Sequence, residues 1–187
     1  QGTPDQVARM LLDETADLGL ATEALAHYDD LVTLPCYDWQ HVIIVPKGHP
    51  LGEIERPTLE QLATYPLVSY HPTVAGRPRI DQAFAKANLT PSFALEALDS
   101  DVIKTYVALG LGVGIVAEMA MQGPQDSDGL VARPAGHLFG SNMTRLAIRK
   151  GAFLREFVLA FAESLSDRLN RALIHRALSG EPQHYEL

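Results

Sequence analysis

The amino-acid sequence predicts an α/β fold, with sheets of parallel type covered by helices on both faces. Three observations carry that expectation. The first is the stretch from Ala97 to Ala120, which reads as a polar loop, a helix, a glycine turn and a buried strand. The second is the alternation of short apolar runs with capped helical segments along the rest of the chain. The third is composition: 187 residues, 47% hydrophobic and 20% charged, suffice for a sizeable core in one domain or two small lobes.

In the first stretch Asp99, Ser100 and Asp101 can each cap a helix, because a short side-chain oxygen accepts from the unpaired amides of a first turn. Val102, Ile103, Tyr106, Val107 and Leu109 recur at helical spacing and mark the expected buried face. Gly110 and Gly112 are expected to stop the helix, since glycine takes positive φ freely. Val113, Ile115 and Val116 suit a strand covered on both faces.

At the N-terminal end, Thr3, Pro4 and Gln6 form a capping box before a helix that buries Val7, Met10 and Leu11. Leu18 and Leu20 mark a strand, and Leu31 to Leu34 another, halted by Pro35. Val42 to Val45 is a separate apolar run. Thr58 and Gln61 make a second capping box, and residues 66–70 read as a strand. After a polar loop over 71–77, Pro78 opens a helix with Ile80, Ala83, Phe84 and Ala87 inward, and Phe93, Leu95 and Ala97 alternate as a strand. Residues 122–129 read as a loop, and 130–133 and 143–148 as strands. Phe153, Leu154, Phe157, Val158, Phe161, Leu165 and Leu169 predict one long amphipathic helix reaching Leu178, with a frayed end from Gly180.

Several function classes are excluded at this level. A net charge of −8 argues against this chain gripping a phosphate backbone. No apolar run approaches the roughly 18 residues of a membrane span. The single Cys36 makes no internal disulfide and fits a reducing, cytoplasmic setting. His27, His41, His49, His71, His137, His175 and His184 are scattered, so surface or loop histidines are expected and no metal site. No nucleophile elbow or phosphate-cradling loop is present, so neither catalysis nor a cofactor is expected. Gly110, Gly112 and Gly114 follow a helix, the reverse of a dinucleotide site. The start on a helix cap, without a signal peptide, reads as a fragment whose earlier elements are missing.

Asp99-Ser100-Asp101-Val102-Ile103-Lys104-Thr105-Tyr106-Val107, followed by Leu109-Gly110-Leu111-Gly112-Val113-Gly114, resembles the signature segment of LysR-type transcriptional regulators, in the effector-sensing domain of the CysB branch. Gly48-His49-Pro50-Leu51 and Ala21-Thr22-Glu23-Ala24-Leu25 are similar to further segments of that family. The resemblance implies two lobes of periplasmic-binding-protein type (type 2), joined by two crossing strands. Residues 1–37 and 141–187 would form the first lobe, lacking its N-terminal elements, and 38–140 the second, with the effector between them. It also implies a regulator of sulfur assimilation, with sulfate, thiosulfate, O-acetylserine or N-acetylserine as effector. DNA would be bound only by a helix-turn-helix outside this chain, and the protein would be a homodimer or homotetramer. An extracytoplasmic solute-binding protein of the same fold is the alternative, and an enzyme such as a dehydratase the third reading.

Ligands in open α/β sheets bind beyond the carboxyl ends of strands, which points to the loops at 21–24, 70–77 and 98–101. Thr22 offers a hydroxyl for an oxyanion or is an ordinary loop threonine; the resemblance favours the ligand role and adds Glu23 beside it. At residues 74–77 the family pattern is Phe-Thr-Gly-Arg. Gly76 and Arg77 match it, while Ala75 replaces the threonine that holds the anion, and Thr73 offers a hydroxyl nearby. Arg77 is either a bidentate ligand for a carboxylate or sulfate or a surface salt-bridge residue. Asp99 caps its helix or touches ligand, with capping favoured. Tyr37 and Trp39 wall a ligand or pack a hinge, with packing favoured.

Overall fold

The computed structural model describes residues 2–121, 123 and 129–180, except the side chain of Glu23. The capping box forms at the start of α1 (Pro4–Leu12): Thr3 Oγ1 accepts from the Gln6 amide, and Gln6 Oε1 accepts from the Thr3 amide. β1 (Gly19–Thr22), a 3-10 turn at Glu23–His27 and the 16-residue β2 (Leu31–Pro46) follow. The chain continues through α2 (Leu59–Ala63), β3 (Leu67–Tyr70), α3 (Arg77–Lys86), β4 (Phe93–Ala97), α4 (Ser100–Ala108) and β5 (Val113–Ala117). It closes with β6 (Leu130–Pro134), α5 (Gly136–Phe139), β7 (Ser141–Arg149), α6 (Glu156–Ser164) and α7 (Arg171–Leu178). The residues fall into two units, Gln1–Asp38 with Met143–Leu187, and Trp39–Asn142. β2 and β7 each carry the chain from one unit to the other.

In the first unit β1, β7 and β2 lie side by side, and β1 runs antiparallel to β7 with Gly19 opposite Ala147 and Thr22 opposite Thr144. One face buries Val32, Leu34, Cys36, Leu146 and Ile148 under Val158, Leu159 and Ala162 of α6 and Ile174 and Ala177 of α7. Ala8 and Leu11 of α1 cluster with Leu25, Leu31 and Ala147.

The second unit holds the strand order β6-β2-β5-β3-β4. β3 runs parallel to β4 and β5, while β2 runs antiparallel to β5 and β6. The sheet is therefore mixed rather than of purely parallel type. Helical crossovers α3 and α4 enforce the parallel part, and β2 opposes it. Ile43, Val45, Leu67, Val113 and Ile115 pack against Ile80 and Phe84 of α3 and Phe139 of α5. Val42, Ile44, Val68, Tyr70 and Val116 pack against Ile103 and Val107 of α4.

Four expectations are corrected. Pro35 does not halt its strand: β2 runs through it, where β7 is its one strand neighbour among the described residues, so the strand is paired on one side only and can accommodate a proline. Residues 31–34 and 42–45 are thus one strand. The long C-terminal helix is two, since Ser166 Oγ donates to the Cys36 carbonyl and Asn170 restarts the helix by accepting from the Leu173 amide at 2.9 Å. Phe153, Phe157 and Phe161 are exposed, as are Val102, Tyr106 and Leu109 on α4 and Met10 on α1. Periodicity marked the apolar residues correctly but assigned them to too broad a buried stripe. Gly110 stops α4 with φ 82°. Gly112 is required by close approach instead: a Cβ there would lie 2.2 Å from the Pro66 carbonyl oxygen. The expected loop at 122–129 lies mostly outside the described residues, as do residues 181–187 of the expected frayed end.

The break between α6 and α7 is testable. Asn170→Ala removes the cap that restarts the helix and is expected to cost about 1 kcal/mol of stability in urea unfolding, with little change in m-value.

Candidate functional site

The carboxyl ends of β3, β4 and β5 lie at one edge of the second unit's sheet, because the three strands are parallel. β2 runs the other way, so His41 reaches the same edge, opposite Ala117 at the end of β5. The loop over 71–76 leaves β3 here. The His71 amide donates to the Ala97 carbonyl at 2.9 Å, which ties the loop to the end of β4. Inside the loop the Val74 amide donates to the His71 carbonyl, and His71 Nδ1 meets Thr73 Oγ1 at 2.9 Å. The loop ends at Gly76, the N-cap of α3, in the left-handed region at φ 90°. Gly76 has no side chain to cap the helix. Among the described residues, no acceptor is recorded for the Ala75 or Gly76 amide.

Arg77 is not on the surface. It is 4% exposed, and Nε and Nη1 of its guanidinium are engaged. Nε meets Asp81 Oδ1 at 2.7 Å, Nη1 meets Glu96 Oε1 at 2.6 Å and also donates to the Tyr70 carbonyl, and the group lies 3.9 Å from the centre of the Phe93 ring. Of the two sequence readings, the structure takes the ion pair and moves it from the surface into the interior. The two carboxylates meet Nε and Nη1 and offset the positive charge there.

His41 is the residue that sequence reasoning misplaced. It was expected on a surface or loop and is fully buried on β2. Its ring stands edge-on to Trp39, with centroids 5.1 Å apart, and to Phe139 at 5.6 Å. Nδ1 lies 3.5 Å from Asn142 Nδ2, and Nε2 has no partner among the described residues. Burial, and then the nearby charge of Arg79, lower its pKa from 6.5 to about 4, so the ring is neutral at physiological pH. A signal was available: residues 39, 41, 43 and 45 share one face of β2, and Ile43 and Val45 are plainly core. Nothing in the sequence alone marked Asn142, Phe139 or Arg79 as its neighbours.

Trp39 is 6% exposed and close to Gly76: a Cβ on Gly76 would lie 2.7 Å from Trp39 Cη2 and 3.0 Å from His41 Nε2. The structure thus brings Trp39, Gly76 and His41 together, with Thr73 exposed and Ala75 half-buried in the same loop. Asp99 caps α4 by accepting from the Asp101 amide at 2.7 Å. Thr22, Glu23 and Tyr37 belong to the first unit. Thr22 is nearly buried and makes no capping bond to the turn it precedes, Tyr37 packs on the core beneath α6, and the side chain of Glu23 lies outside the described residues.

The family model for the LysR substrate binding domain matches residues 1–170. The chain belongs to the LysR family. Over all 187 residues it is 53% identical to the HTH-type transcriptional regulator CysB of Burkholderia cenocepacia, covering 59% of that protein. It is 51% identical over 174 residues to the regulator SsuR of the same organism, covering 93% of this chain and 56% of that one. The crystal structure of the cofactor-binding domain of the Cbl transcriptional regulator superposes with a TM-score of 0.87 at 42% identity, over 95% of this chain and 78% of that one. This LysR domain therefore has the type 2 periplasmic-binding-protein-like fold of its relatives, and it spans somewhat over half the length of the curated proteins it matches. No helix among the described residues is long and apolar enough to cross a membrane. No cluster of metal-ligating side chains occurs among them.

Two outcomes follow from the charges in this LysR domain. Arg77→Ala strands Asp81 and Glu96 beside the core, and the expected loss is about 3 kcal/mol in denaturant unfolding, held to the low end of the buried-pair range because both carboxylates touch water. His41 makes stability depend on pH. The unfolded chain takes a proton at this residue near 6.5 and the folded chain only near 4, so stability is full above the first value and falls as pH drops towards the second. The shift corresponds to a loss of up to about 3 kcal/mol. Urea unfolding from pH 7 to 4.5 should show that slope, and His41→Phe should flatten it.

Proposed function

We propose that this chain is the effector-sensing part of a LysR-type transcriptional regulator of sulfur assimilation. The observation that carries the reading is the start of α3. A ten-residue helix begins at a glycine that cannot cap it, beside two backbone amides without acceptors among the described residues and a neutral, buried histidine. The Arg77 and Arg79 amides donate to the Val74 and Gly76 carbonyls and Pro78 has no N–H, so the helix dipole and the two loop amides, rather than free amides of the helix itself, favour an anion here. Sulfate, thiosulfate, O-acetylserine or N-acetylserine supplies the oxygens such a site takes. Trp39, Thr73, Ala75 and Gly76 are its proposed contacts. Arg77 acts by fixing the loop rather than by touching the effector. Thr22, with Glu23 and Tyr37, remains a candidate contact on the first unit, and Asp99 is a helix cap first.

Effector binding alters transcription only as far as the effector prefers one conformation over another. DNA contact belongs to the part of the relatives' length that this chain does not cover. The net charge of −8 agrees with that division. A homodimer or homotetramer in the cytoplasm is the expected assembly, and the exposed Val102, Tyr106 and Leu109 on α4 supply an apolar face for it. Regulation rather than catalysis fits the relatives, which are named as transcriptional regulators.

Calorimetric titration of the four candidates tests the proposal. One or more is expected to give saturable heat, weakened about ten-fold or more by Gly76→Ala, whose Cβ would press on Trp39 and His41. Thr22→Ala is the matching variant on the first unit. Silence from all four would overturn the effector class and leave the family membership standing.

A further inference from the structure

Nε2 of His41 is a buried polar atom with no partner among the described residues. Such atoms are rare in native proteins, and each calls for a specific cause. Chemistry decides what this one lacks. The Asn142 amide nitrogen, 3.5 Å from Nδ1, is a donor, so Nδ1 accepts from it. A neutral imidazole has one N–H, which then sits on Nε2. The atom without a partner is therefore a donor, and the group missing from it is an acceptor.

The direction of that donor is also fixed. Nε2 lies 3.0 Å from where a Cβ on Gly76 would stand, so it faces the residue that opens α3. Trp39 and Phe139 brace the ring from two sides, and both contacts are edge-on. Gly76 closes the loop at 71–76, which is held mainly by short-range bonds: Val74 amide to His71 carbonyl, Thr73 amide to His71 Nδ1, and one link from the His71 amide to the Ala97 carbonyl. Gly76, with positive φ, puts no side chain against Nε2, whereas a Cβ there would stand 3.0 Å from it.

We propose that His41 is an effector-binding residue: its Nε2–H donates to an oxygen of the effector at the start of α3, once the 71–76 loop shifts to admit it. The inference rests on the effector reading above and adds a donor from β2 to the backbone amides of the loop. A neutral N–H donor takes carboxylate, ester or sulfur-oxyanion oxygen alike. The unmet donor is also the differential contact that lets an effector favour the shifted loop, because only the occupied state satisfies it.

The test uses the purified protein with sulfate, thiosulfate, O-acetylserine and N-acetylserine as probes. Wild type is compared with His41→Phe, which keeps an aromatic ring and removes the donor, and with His41→Gln, which keeps an N–H. The proposal expects His41→Phe to bind the active probe about ten-fold more weakly, with His41→Gln recovering most of that loss. It also expects the His41 Nε2–H resonance of the wild type to move on saturation with that probe, a readout that does not depend on how either variant folds. Equal affinity for wild type and His41→Phe, or an Nε2–H resonance unchanged at saturation, would overturn the role of His41 while leaving the effector reading intact. Failure of every probe to bind wild type would overturn both.

Discussion

The buried guanidinium of Arg77 is the interaction on which the candidate site depends. An arginine taken out of water is unfavourable by several kcal/mol unless its N–H groups are met. Here they are met from three elements at once: Asp81 on α3 itself, the Tyr70 carbonyl at the end of β3 and Glu96 on β4, with the Phe93 ring beneath. The first residue of α3 is thereby fixed beside the carboxyl ends of two parallel strands. The six residues between Tyr70 and Arg77 then have little freedom in where they run. The family motif at this point includes an arginine, and in this chain it pairs with Asp81 and Glu96.

That constraint explains the crowding around Gly76. The loop returns to the helix directly against Trp39 and His41, with no room for a side chain. Nearly everything there is neutral: an indole, an uncharged imidazole and backbone amides. The positive potential comes from the helix N-terminus and from Arg79, whose charge helps lower the pKa of His41. Such a site recognises oxygens by hydrogen bonds more than by ion pairing. Ala75 lacks one hydroxyl of the family pattern, which leaves the amides and His41 as the donors of the proposed site.

Much of the fold was legible in the sequence, for identifiable reasons. The two capping boxes at Thr3 and Thr58 form as read, because capping is a local interaction between residues three apart. Gly110 ends its helix and Asp99 begins it on the same grounds. The failures are all non-local. Pro35 was read as a stop because the sequence does not say which strand edge is open. Phe153, Phe157 and Phe161 were read as inward because periodicity gives a stripe and not its width. The site divides in the same way. Gly76 is legible through the family pattern at residues 74–77, which is a local run of sequence. The partners of Arg77 lie four residues away on α3 and 19 away on β4, and His41 meets Asn142 from 101 residues away. No local pattern links those positions, so the sequence does not show that Arg77 pairs inside the fold or that His41 is buried.

The central claim is that the anion site is made of backbone amides and neutral rings, with Arg77 held apart from it. A crystal structure of the protein grown with thiosulfate tests this most directly. The account predicts an anion oxygen within hydrogen-bond distance of the Ala75 or Gly76 amide, with Arg77 still paired to Asp81 and Glu96. An anion bound to a guanidinium that has left those two carboxylates would contradict it.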